Sequence, residues 1–292
     1  MTAAEFWTRH VFVLASPDSL LRGVHGALVR RLATDGFTPV AARLALANSD
    51  MIDDLYADVI AGHWETWRYR LIDAAFSLGP TLAMICRYDG DGDDPHELMR
   101  AKKGHQHPHR TSPGELRKDF GAINSILGVM HASDDPEESR KDAWIFGLTP
   151  DDADAQAAGI ASRIALLCAL TEPASPEQRD FDTVLGELRA SIVVAKWDEL
   201  GDSHTVDAVA ALLEEPARLG APKAGAELAA LLDGRLPADL LDVVRCDFTP
   251  ETKGDYRAAD LFATIRRHGV ELDRWQRIVL ETSLYFPPAR RP

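Results

Sequence analysis

Ser112-Pro113-Gly114-Glu115-Leu116-Arg117-Lys118-Asp119-Phe120-Gly121 is the stretch around which the rest of the chain can be ordered. Its Pro-Gly pair marks a turn. Upstream stands Arg100-Ala101-Lys102-Lys103-Gly104, and downstream Val129-Met130-His131-Ala132-Ser133-Asp134. Further out, Val11-Phe12-Val13-Leu14 is a short apolar run ending at Ser16-Pro17-Asp18, as a buried strand would. Leu20 to Thr34 carries Leu21, Leu28 and Leu32 at helical spacing.

The same reading predicts strands over 37–46, 81–87 and 126–130, helices over 49–62, 65–77, 97–103 and 135–144, and a polar loop over 104–118. Strands alternating with helices in this way define an α+β sandwich, with helices on a small sheet. After Gly147 the pattern changes. Segments 155–170, 181–200, 205–219, 224–232, 238–244, 258–268 and 272–285 each place apolar residues three or four apart between Pro or Gly breaks. The expected organisation is therefore two domains, 1–148 of α+β type and 149–292 all helical.

With 292 residues, 46% of them hydrophobic, each half can bury its own core. The net charge of −14 argues against general affinity for nucleic acid, since phosphate backbones are held by clustered Lys and Arg. Residues 1–148 hold 16 basic and 21 acidic groups, leaving 32 − 16 = 16 and 46 − 21 = 25 for the second half. That half is the poorer host for an anion. Three separated cysteines fit a reducing cytoplasm. No apolar run approaches the roughly 18 residues of a membrane span, so neither a membrane association nor a leader is expected.

Taken in order, the segments around Ser16, Tyr56, Arg100, Arg117 and His131 resemble the nucleoside diphosphate kinases over residues 8–147. That family has a strand ending in Lys-Pro-Asp, then Arg, three further residues and Gly. A loop closing on Pro-Gly-Thr-Ile-Arg-Gly-Asp-Phe follows, and last comes Asn-x-x-His-Gly-Ser-Asp. Arg100 to Arg117 keeps this spacing without a gap. The resemblance implies a ferredoxin-like, four-stranded antiparallel sheet. It also implies transfer of a γ-phosphoryl group from a nucleoside triphosphate, through a phosphohistidine at His131, to an acceptor.

In the same way it implies Ser133 and Tyr56 beside the transferred group, Arg100 and Arg117 as phosphate clamps, and Gln106 in place of a phosphate-binding threonine. Mg²⁺ would arrive with the nucleotide, and a homo-oligomer is expected. Glu138, Lys141 or Asp142 falls where the family's histidine-orienting glutamate belongs, and Trp64 or Trp67 is a candidate base platform. Ser16 replaces the family lysine, Gly128 the asparagine and Ala132 the glycine, and the stretch from Asp119 to His131 is one residue longer. The extra residue leaves room for Asn124 or Ser125 to turn inward. These departures point to an altered acceptor or, as the alternative, to a degenerate nucleotide-binding or protein-interaction module without turnover.

Other features have plainer readings. The loop from Gly104 to His109, with alternating histidines, and the acidic cluster Asp89–Asp94 both read as solvated segments rather than metal sites. Trp144, Trp197 and Trp275 fall on apolar helix faces and read as core.

Overall fold

The computed structural model describes residues 3–57, 66–201, 207–211, 216–249, 252 and 257–290. The chain divides into two compact units, Met1–Gln178 and Arg179–Pro292. The change in sequence character at 148 is therefore followed by some thirty residues that still belong to the first unit.

Four strands, β1 (His10–Ala15), β2 (Phe37–Ala45), β3 (Thr81–Tyr88) and β4 (Met130–Ala132), form one antiparallel sheet in the order β2-β3-β1-β4. The central strands are apolar over Val11–Ala15 and Leu82–Cys86 because both faces are covered there. Val11, Val13, Met84 and Cys86 pack with Leu28 and Leu32 of α3 (His25–Thr34) and Met99 of α6 (Pro95–Lys103). Phe12, Leu14, Ala83 and Ile85 pack on the other face, with Ile52 of α4 (Ser49–Leu55), Ile72 of α5 (Thr66–Phe76) and Ala143 of α8 (Pro136–Ile145). Two-fold alternation along a strand produces this division. An N-terminal helix, α1 (Ala3–Trp7), escaped the sequence reading and buries Phe6 and Trp7 on that second face.

The predicted helix over 20–34 is two helices, α2 (Pro17–Leu21) and α3, parted at Gly23 with φ +67°. The last strand lies later than predicted, at 130–132 instead of 126–130. The Asn124 side chain accepts the amides of Ile126 and Leu127, and Val129 takes φ +62°. This turn consumes the apolar run before pairing begins, so His131 is inside the strand rather than beyond it. Trp144 is 71% exposed and Trp197 36% exposed, so only Trp275, at 3%, is the core residue expected of all three. The inward face of α8 is instead Ser139, Asp142 and Ala143.

The first unit continues through α9 (Pro150–Gln156) and α10 (Ile160–Thr171). Gln156 Oε1 accepts from the Ala42 amide at 3.0 Å, and Arg163 Nε donates to the Ala42 carbonyl at 2.9 Å. Ile160, Ile164, Leu167 and Cys168 pack against the sheet core, while Leu166 and Leu170 are exposed. Among the described residues, the helical stretch Pro150–Thr171 is long and apolar enough to cross a membrane by length and composition only. This departs from the expectation that no segment would be. In the second unit, described by itself, α11 (Phe181–Ala195) carries the buried Arg189 against α12 (Ala238–Arg245) and the chain that follows. The predicted helix over 205–219 lies partly outside the described residues.

Candidate active site

The short edge strand β4 fixes the orientation of the histidine. Met130 and Ala132 pair with Ala15 and Val13 and enter one core, so His131, opposite Leu14, faces the other side. There α8 presents Asp142 three residues after Ser139, on its inner face. His131 Nε2–H donates to Asp142 Oδ2 at 3.0 Å, a tautomer that follows from the carboxylate partner. Ser133 Oγ donates to the same oxygen at 2.8 Å. Asp142 is 3% exposed at its side chain. Its other oxygen is within 4.0 Å of Lys141 Nζ but has no hydrogen bond. Glu138 turns elsewhere and accepts the Asp134 amide. Of the three candidates for the orienting position, Asp142 is the one bonded to the imidazole. Among the described residues, Nδ1 of His131 has no hydrogen-bond partner.

His131 lines a cavity of about 350 Å³ together with Tyr56, Arg100, Lys103, Gln106 and Arg117. Tyr56 caps the C-terminus of α4 and sits edge-on to the imidazole, ring centroids 6.3 Å apart. Burial pushes its phenol up to about 12, so it stays a neutral donor near pH 7. Arg117, from α7 (Leu116–Asp119), donates to the carbonyls of Gly104 at 2.8 Å and Met130 at 3.4 Å. Burial moves its guanidinium below the usual arginine range. Arg100 is exposed and pairs with Glu97 at 3.1 Å. The cavity therefore presents cations to a histidine whose other nitrogen is already held.

Three expected residues do not line it. Ser133 reaches it only through Asp142. Ser16 lies at the sheet margin, its amide on the Val129 carbonyl and its hydroxyl donating to Asp18 at 2.7 Å. Buried Asp18 also accepts the Val129 amide at 3.1 Å, and desolvation holds its carboxyl above the usual range. Gly128 precedes the strained Val129, and a Cβ there would come no closer than 3.8 Å to any atom beyond its neighbours. Gly128→Asn is thus expected to change stability by less than about 0.5 kcal/mol, checked by thermal melting, although the family side chain is absent here.

The expected inward turn of Asn124 or Ser125 does not occur. Asn124 is spent on the local turn, and Ser125 Oγ bonds His107 Nδ1 at 2.6 Å. No group of three His, Cys, Asp or Glu suited to a metal exists among the described residues. Trp64 and the side chain of Trp67 lie outside those described. Lys103 escaped the sequence reading. Its signal was helical spacing, three residues after Arg100 on the same face of α6.

This fold and site define an α+β domain that holds an oriented histidine in a cationic cavity. The family model for nucleoside diphosphate kinase matches residues 9–147. The nucleoside diphosphate kinase of Trichormus variabilis is 31% identical over 137 residues, covering 46% of this chain and 85% of the relative. That of Listeria monocytogenes is 28% identical over 135 residues, covering 46% and 86%. Similar solved structures include the Aquifex aeolicus nucleoside diphosphate kinase, with TM-score 0.42, 20% identity, and 49% of this chain and 97% of that one covered. The Borrelia burgdorferi enzyme with bound vanadate and ADP has TM-score 0.44 and 22% identity, covering 49% and 89%. The chain belongs to the nucleoside diphosphate kinase family through its N-terminal half.

Proposed function

We propose that the N-terminal unit moves a γ-phosphoryl group from a nucleoside triphosphate to His131 and on to a phosphate acceptor, which need not be a standard nucleoside diphosphate. The observation that carries this reading is the buried Asp142 carboxylate on Nε2 of His131, leaving Nδ1 free beside the cationic cavity. The Nδ1 lone pair would form the N–P bond while the bond from phosphorus to the bridging oxygen breaks, its electron pair leaving with the nucleoside diphosphate. A terminal phosphate oxygen of the acceptor would then reverse the step and release the imidazole. No proton need leave Nε2 in either direction. Arg117 and Arg100 would hold phosphate oxygens through their planar forks, with Tyr56 and Gln106 as neutral partners.

Among the described residues the protein offers Mg²⁺ only scattered carboxylates such as the rim residue Asp134. This suits an ion that enters on the triphosphate, coordinated mainly by phosphate and water. Such an ion would neutralise charge on the phosphate chain. We also propose self-association, as in the family. A second reading, a binding module without turnover, is favoured by one observation: the Ser16 hydroxyl, in place of the family lysine, is turned to Asp18.

Incubation with γ-labelled ATP or GTP and Mg²⁺ tests the proposal. An acid-labile, base-stable phosphoprotein is expected. No label with any common triphosphate overturns it, and tight binding without label supports the second reading.

A further inference from the structure

We propose, resting on the phosphohistidine reading above, that Lys103 is a catalytic residue, its ammonium binding the transferred phosphoryl oxygens in place of the family lysine that Ser16 replaces. Lys103 Nζ donates to the Ala132 carbonyl at 2.5 Å and to Asp134 Oδ1 at 2.6 Å. Ala132 is the residue that follows His131 in β4, so the ammonium is anchored beside the nucleophile. It also lines the cavity that His131 lines. An ammonium has three protons, and two are used.

The environment of Lys103 is costly unless a charge is to be met there. Its side chain is 9% exposed, and burial lowers its basicity against the pull of Asp134. Asp134 itself is 52% exposed, so water can take over its solvation if the lysine lets go. A phosphoryl group carries more charge than a single carboxylate and would replace Asp134 as the partner of Lys103. The ammonium changes partner, and no proton is transferred.

The other cations around the cavity have different attachments. Arg100 is an exposed partner of Glu97, Arg117 is tied to two carbonyls, and Lys141 lies 4.0 Å from Asp142. At the position of the family lysine, Ser16 offers a hydroxyl already given to Asp18. The positive charge stands on the last turn of α6, within the cavity, instead of at the end of β1.

Single-turnover labelling with γ-labelled ATP and Mg²⁺ tests this in the full chain. Lys103→Met is expected to form phosphohistidine about 10²-fold more slowly or worse, and Lys103→Arg to return to within about tenfold of wild type. Adding Ser16→Lys to Lys103→Met is expected to recover at least about tenfold, which a merely structural lysine would not permit. Lys103→Met labelling at the wild-type rate, or a slow Lys103→Met that Ser16→Lys leaves unchanged, overturns the proposal. Failure of the wild type to label overturns the phosphohistidine reading instead. If Lys103→Met does not fold, wild-type protein carrying ¹³C at lysine Cε decides the matter. The signal missing from Lys103→Arg is expected to shift on adding MgADP with orthovanadate, and an unmoved signal overturns the proposal.

Discussion

Replacing His131 by alanine is expected to reduce phosphoprotein labelling to background, and replacing Asp142 by alanine to slow it by about 10²–10³-fold, with the fold intact in both. The first removes the imidazole that is hydrogen-bonded to the cavity's buried carboxylate. The second leaves the nucleophile in place but frees it to rotate and to carry its proton on Nδ1, where the lone pair is required. Asp142 also holds Ser133, so one substitution releases two side chains of the site. Removing the carboxylate also leaves the buried Ser133 hydroxyl without its acceptor, so Asp142→Ala is expected to lose about 1–3 kcal/mol of stability while still folding. Single-turnover labelling and thermal melting of each variant are the checks. A His131→Ala protein that still takes acid-labile label, or an Asp142→Ala protein labelled at the wild-type rate, would refute the assignment of roles.

How much of this was legible in the sequence depended on the range of the interactions involved. Val11 to Leu14 and Thr81 to Arg87 read as buried strands because central strands covered on both faces are apolar at consecutive positions. Arg100 and Arg117 were legible as candidates through their register with Gly104 and Pro113-Gly114, and they share one cavity. The start of β4 was not legible. An apolar run is compatible with a strand or with a buried turn, and the choice was made by the Asn124 side chain and by Asp18, 111 residues from Val129 in sequence. The partner of His131 had three candidates on one helix. Only the rotation of α8 about its axis, set by its packing on the sheet, brought Asp142 onto the imidazole, while Glu138 bonds the Asp134 amide and Lys141 stays at the cavity wall. Trp144 was misread because aromatic size suggests burial, while the helix face it occupies is turned to solvent.

Arg189→Met is expected to destabilise the second unit by about 3–5 kcal/mol, the largest stability effect foreseen here. The Arg189 side chain is fully buried. Its guanidinium donates to the carbonyls of Val244 at 2.9 Å, Cys246 at 2.9 Å and Leu219, and to Asp247 Oδ1 at 2.6 Å. Methionine matches much of its volume but offers no donor, so several buried acceptors and the inner oxygen of Asp247 lose their partner together. The neighbouring backbone is built around this group. A Cβ at Gly225 would lie within van der Waals overlap of the Arg189 guanidinium and the Val244 carbonyl. Urea unfolding of the full chain, followed by tryptophan fluorescence, gives the measurement. Arg245→Met, at a half-exposed surface pair, serves as the control and is expected to change stability by less than about 0.5 kcal/mol. Equal effects of the two substitutions would show that the buried network contributes nothing beyond its surface counterpart.

The two bonds that Gln156 and Arg163 make to Ala42 also bear on how copies of the chain can meet. Ala42 lies midway along β2, the border strand of the sheet, and both its outward backbone groups are already taken. A border strand with free amides and carbonyls invites a foreign strand to continue the ladder. Here such an intruder would first have to strip away two side chains and the helical segment that bears them. Edge-to-edge joining of two sheets through the middle of β2 is thereby obstructed as long as this helical segment stays seated on Ala42.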